Sequence, residues 1–148
     1  MSLETRIMAD LKTAIKEKDD AAKRSIRAIK SQILLVKTDG SGQELDEAAE
    51  IKLLQKMVKQ RRDSLAIFEK EGRSELAQKE REEIAVIERY LPQQMDETEL
   101  TQFLQKVVQQ TGANSMKDMG KVMGMASKEL AGRADGKTIS TIVKKLLA

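Results

Sequence analysis

The sequence predicts an all-α protein, with an N-terminal four-helix unit over residues 1–92 followed by a small C-terminal three-helix domain over residues 93–148. Three observations carry this. Proline occurs once, at Pro92, so nothing else forces a helix to stop by removing an amide donor. Aromatic residues are limited to Phe68, Tyr90 and Phe103, which leaves Leu, Ile, Val, Met and Ala to build the core. Those apolar residues recur every three or four positions, the spacing of one helical face.

Ser2 is placed to cap a first helix with Leu3, Ile7, Leu11 and Ile15 on one side. Asp19 or Asp20 opens a second, whose Ala22, Ile26, Ile29, Ile33 and Val36 form a narrow seam that "KTDGSG" then breaks. A third begins near Asp46 and carries Ile51, Leu54, Val58, Leu65 and Phe68, with Lys52, Lys56, Lys59 and Arg62 round another side and Gly72 as its stop. Ser74 starts the fourth, "SELAQKEREEIAVIERYL", in which Leu76, Ile84, Ile87 and Leu91 are expected to pack. Its many acids are expected to neutralise the basic "KQRR" of the third helix, so that this run is not free for a polyanion.

Beyond Pro92 the local signals sharpen. Asp96 followed by Glu99 has the spacing of a capping box, with Met95 able to staple onto Leu100, and Phe103, Leu104, Val107 and Val108 face inward until Gly112. Ser115 and Asp118 repeat the capping pattern and predict a helix from Met116 to about Leu130. On it Met119, Val122, Met123, Ala126 and Leu130 share the core side, Lys117, Lys121 and Lys128 the opposite side, and Gly120, Gly124 and Ser127 line a shallow edge between them. Gly132 has the position of a left-handed cap, Asp135 of an N-cap, and Ile139, Ile142, Val143 and Leu146 are the expected core of the last helix.

The stretch "AGRADGKT" imitates a phosphate-binding loop, but Gly132 and Gly136 have three residues between them where the motif needs four, and a helix precedes it instead of a strand. It reads as a turn between helices, so no nucleotide cofactor is expected. Cysteine and histidine are both absent, which excludes disulfides, the usual zinc sites, thiol nucleophiles and a histidine base. No catalytic residue and no metal ligand is therefore assigned. The longest apolar runs, such as Ile33 to Val36, have four residues, so no membrane partner is expected, and a cytoplasmic location is expected by default.

Charge is distributed unevenly. Residues 1–105 hold 19 Lys/Arg against 21 Asp/Glu, whereas residues 106–148 hold 8 against 3. This +5 tail points to a polyanionic partner. A helix-turn-helix DNA reader fits poorly, because the seven residues from Ala131 to Lys137 exceed its usual short turn, and DNA is not expected.

Taken together, "KQRRDS", "EKEGRSELAQKEREEI", "YLPQQM", "KDMGKVMG" and "GRADGKTISTIVKKLL" closely resemble the YqeY-like proteins along nearly the whole chain. The C-terminal part of that family resembles the tail domain of the B subunit of the tRNA-dependent amidotransferase, which makes Gln-tRNA or Asn-tRNA by amidating a misacylated tRNA. The resemblance implies a two-part helical protein divided near "YLP", with tRNA as partner and amidotransferase subunits or a tRNA synthetase as possible associates. Carried over residue by residue, it points to Lys117, Lys121, Lys128, Arg133 and Lys137, with Lys144 and Lys145 extending the positive surface. The leading expectation is a non-catalytic tRNA-binding or amidotransferase-associated adaptor. Two alternatives stand beside it: a protein-interaction module using the Gly120, Gly124 and Ser127 groove, and a glutamine-dependent carbon-nitrogen ligase in its own right.

Overall fold

The computed structural model describes residues 2–40, 42 and 45–148, which form helices and connecting turns with no strand among them. The chain divides into two compact units, Met1–Leu91 and Pro92–Ala148.

Four helices make the first unit: α1 (Leu3–Glu17), α2 (Asp20–Thr38), α3 (Glu47–Lys70) and α4 (Ser74–Glu88). Each of the first three starts where a side-chain oxygen takes an orphan amide. Ser2 Oγ accepts from the Thr5 amide at 3.2 Å, Asp19 Oδ1 from Ala22 at 3.0 Å and Asp46 Oδ1 from Ala49 at 2.8 Å. Between α1 and α2 the chain reverses through Lys18, a non-glycine residue in the left-handed region at φ 57°. The break expected at "KTDGSG" follows Thr38, with Gly40 and Gly42 at positive φ; Ser41 lies outside the described residues. Gly72, at φ 70°, closes α3, and the Arg73 amide reaches back to the Phe68 carbonyl at 2.8 Å.

Packing of α3 on α4, α1 on α2 and α2 on α4 encloses Ile7, Ile26, Ile29, Ile33, Leu54, Met57, Ile87 and their neighbours. Two sequence expectations fail here. Ile15 is 50% exposed while Ala14 is buried, because a strict four-residue repeat gains about 40° per step on the helical face and has left it by about 120° after three steps. Leu76 is 36% exposed although it lies on the same side of α4 as Ile87. The core draws on the Leu54–Val58 end of α3 and the Val86–Tyr90 end of α4, so it stops before the hairpin turn that carries Leu76.

The acids of α4 meet Arg61 and Arg62 of α3 as expected, and also Arg24 of α2. Arg61 Nε lies 3.2 Å from Glu83 and Arg62 Nη2 2.7 Å from Glu88, while Arg24 Nη2 reaches Glu82 at 3.1 Å. Arg81 pairs with Glu69 at 2.8 Å along the same hairpin. Loss of hydration, with the neighbouring Glu83 charge second, pushes the Glu80 carboxyl above its ordinary value; Arg61 opposes both.

Candidate functional site

The second unit contains α5 (Glu97–Thr111), α6 (Met119–Glu129) and α7 (Gly136–Leu147), with a 3-10 turn, Met116–Asp118, leading into α6. Asp96 Oδ1 accepts from the Glu99 amide at 2.8 Å and starts α5 as the sequence predicts. Gly112, at φ 69°, ends it. The expected start of α6 is corrected: Met116 opens a 3-10 turn, Ser115 makes no side-chain cap, and Asp118 Oδ2 instead takes the Asn114 amide at 3.1 Å. The α-helix itself begins at Met119. Asp135 precedes α7 but makes no capping bond.

Leu100, Leu104, Val107, Val122, Ala126, Leu130, Ile139, Ile142, Val143 and Leu147 form the buried core, with Met95, Phe103, Met119, Met123 and Leu146 packed partly against it. The last helix places Leu147 in the core and leaves Leu146, the expected residue, half-buried. Burying each large aliphatic side chain here favours the fold by about 1.5–3 kcal/mol, which fixes the rotation of α6 and α7 and thereby decides what their outer sides display.

On α6 that outer side carries Lys121 and Lys128, about 20° apart at 100° per residue, with Lys117 on the turn before them. All three are exposed. Lys121 Nζ donates to the Thr111 carbonyl at 3.4 Å, where the carbonyl end of α5 favours a cation. Gly120, Gly124 and Ser127 are also exposed, and a Cβ built on either glycine would meet nothing within 4 Å. Among the described residues nothing crowds these positions, so the expected groove is an open surface beside the lysines.

Lys137 and Lys144 share an outer side of α7, with Lys145 about 100° further round, all exposed. Arg133 stands apart. It is half-buried and its Nε donates to the Gln93 carbonyl at 3.1 Å. One cation was not singled out from the sequence: Lys106, exposed on α5, belongs to the same basic third of the chain. Equally unforeseen is Gln94, whose Nε2 donates to the carbonyls of Gly132 at 2.6 Å and Pro92 at 2.8 Å. "YLPQQM" and "GRADGKT", far apart in sequence, thus meet through Gln94, and only a fold could reveal that.

Every ion pair among the described residues falls in the first unit. The second unit's Lys and Arg side chains have no carboxylate within 4.0 Å among those residues, and no group of three or more acidic side chains there could hold a metal ion. No helix among the described residues is long and apolar enough to cross a membrane.

Such a chain is a small two-unit helical protein whose ion pairs, among the described residues, all fall in the first unit and whose second unit displays exposed lysines on α6 and α7. It belongs to the Yqey-like protein family, whose profile matches residues 4–147. Among its relatives is "Altered inheritance of mitochondria protein 41, mitochondrial" of Lachancea thermotolerans, 43% identical over 84 residues, which is 57% of this chain and 45% of that protein. The proteins of the same name from Vanderwaltozyma polyspora and Meyerozyma guilliermondii are 34% and 38% identical, over 74% and 78% of this chain and 63% and 62% of theirs. The matches therefore span less than two thirds of each of these relatives. These names correct the expectation of a cytoplasmic location, which was held by default: the relatives are called mitochondrial.

Proposed function

We propose that this chain is a non-catalytic helical adaptor that binds tRNA, or an amidotransferase assembly carrying tRNA, through the outer sides of α6 and α7. The observation that carries the reading is the grouping of exposed lysines in the basic third of the chain: Lys117, Lys128, Lys137, Lys144 and Lys145 have no carboxylate within ion-pair distance among the described residues, while Arg61 and Arg62 of the basic run on α3 are held by Glu83 and Glu88. Solvated lysines with nothing to displace are suited to exchanging counterions for phosphates. The only aromatic of this unit, Phe103, packs against the core, which disfavours recognition by base stacking and favours contacts to the backbone of a structured RNA. The resemblance to an amidotransferase tail domain supports tRNA over other polyanions. The mitochondrial names of the relatives support a place in that compartment.

Measuring tRNA binding across a salt series tests this. The logarithm of affinity is expected to fall linearly with the logarithm of salt, by about 0.7–0.9 per phosphate contacted. Absence of tRNA retention at low salt would remove the reading.

A second reading has one observation in its favour, the open surface at Gly120 and Gly124, where a partner helix could approach closely. Replacing Gly124 by Leu would then abolish a protein partner while leaving RNA binding intact.

A further inference from the structure

The segment that follows the first unit is strapped to the turn between α6 and α7. Met95 donates its amide to the Arg133 carbonyl at 3.1 Å, Arg133 Nε donates to the Gln93 carbonyl at 3.1 Å, and Gln94 Nε2 donates to the Gly132 carbonyl at 2.6 Å. All three acceptors are backbone carbonyls, and Gly132 sits at φ 79°, a conformation that a side chain would strain. A guanidinium has five donors in a rigid plane. In Arg133 only Nε is engaged among the described residues, so the two Nη groups remain available as a fork for an anion.

We propose that Arg133 is a bridging residue: its Nε holds the Pro92–Met95 strap while its Nη fork takes a phosphate of bound RNA, so that occupancy of the cationic surface tightens the segment joining the two units. This rests on the tRNA reading above. It separates Arg133 from the lysines, which act as solvated point charges, and makes Gln94 a positioning residue that never touches the RNA. Without the Gln94 side chain the strap loses its hold on Gly132, which loosens the neighbouring Gln93 carbonyl that orients the Arg133 fork. A phosphate on the fork restrains Arg133 and, through it, the Met95 amide bonded to the Arg133 carbonyl.

Hydrogen exchange at the Met95 amide of the full chain, with and without tRNA, reads this directly. Bound tRNA is expected to slow exchange about fivefold, the scale of one net hydrogen bond. Gln94→Ala is expected to speed exchange in the free protein and weaken tRNA about fivefold with an unchanged salt slope, since no phosphate contact is lost. Arg133→Lys retains the charge but lacks the fork, so tRNA should bind without slowing Met95. Should Arg133→Lys fail to fold, Gln94→Ala alone decides. Binding of tRNA with Met95 exchange unaltered, or Gln94→Ala binding like the parent, overturns the bridge and leaves the RNA reading intact. No binding by the parent protein overturns both.

Discussion

The hydroxyl of Tyr90 donates to Oδ2 of Asp10 at 2.5 Å, joining the turn after α4 to the outer part of α1. The Arg6 guanidinium lies over the same ring, 5.2 Å from its centroid. Burial first, then the hydrogen bond to the Asp10 carboxylate and its charge, push the phenol above its ordinary value; Arg6 and Arg89 oppose this less strongly. Tyr90 is therefore both the packing plug at this end of the first unit and its only tyrosine.

A pH dependence follows. Because the folded protein holds the phenolic proton more tightly than the unfolded chain, the contribution is fully present below the unfolded value of about 10 and is lost as pH rises through the higher folded value. Tyr90→Phe should cost about 1 kcal/mol at neutral pH, since Asp10 stays solvated when its donor goes. In urea melts the variant should also lose stability less steeply above pH 10. Parallel alkaline profiles for the two proteins would contradict this account.

The core of α1 and α2 gives a sharper contrast. Ile29 is fully buried, and Ile29→Ala should cost about 2–5 kcal/mol. Ile15→Ala, half exposed, should cost under about 1 kcal/mol, although the two residues look alike in the sequence. Thermal or urea melts of both variants check the difference.

That pair shows where the sequence was legible. Caps made by a single side chain, at Ser2, Asp19, Asp46 and Asp96, are local chemistry and appear where expected. Ile15 was misplaced because short repeats hide the slow rotation of a face along the helix. Leu76 was misplaced because periodicity tells which side of a helix faces its neighbours but not how far along it those neighbours extend. At the candidate site, the exposure of Lys117, Lys121 and Lys128 followed from the apolar residues opposite them. The engagement of Arg133 with Gln93 could not follow, since it depends on two segments meeting in space.

Two glycines separate conformational need from surface openness. Gly132 adopts φ 79°, so Gly132→Ala should destabilise by about 1–2 kcal/mol. Gly124 lies inside α6 with nothing near its missing side chain, so Gly124→Ala should stabilise by up to about 1 kcal/mol. Melting curves test the signs. If Gly124→Ala stabilises the fold yet weakens a partner, the residue is kept for close approach and not for folding.

The lysines and the first unit's arginines should differ in kind when removed. Arg62 faces Glu88 at 2.7 Å, so Arg62→Ala removes a charge that is locally neutralised and should leave the salt slope of tRNA binding unchanged. Lys128 and Lys144 have no carboxylate within ion-pair distance among the described residues, and Lys128→Ala or Lys144→Ala should each lower the slope by about 0.7–0.9 where that lysine contacts a phosphate. Lys121→Ala should have a smaller effect on affinity, because its ammonium already favours the Thr111 carbonyl at 3.4 Å and must divide itself between the two. Salt titrations of these four variants by one binding assay make the comparison internal. Equal slopes for all of them would mean that net charge alone attracts the RNA, and that the orientation of α6 and α7 contributes nothing to its recognition.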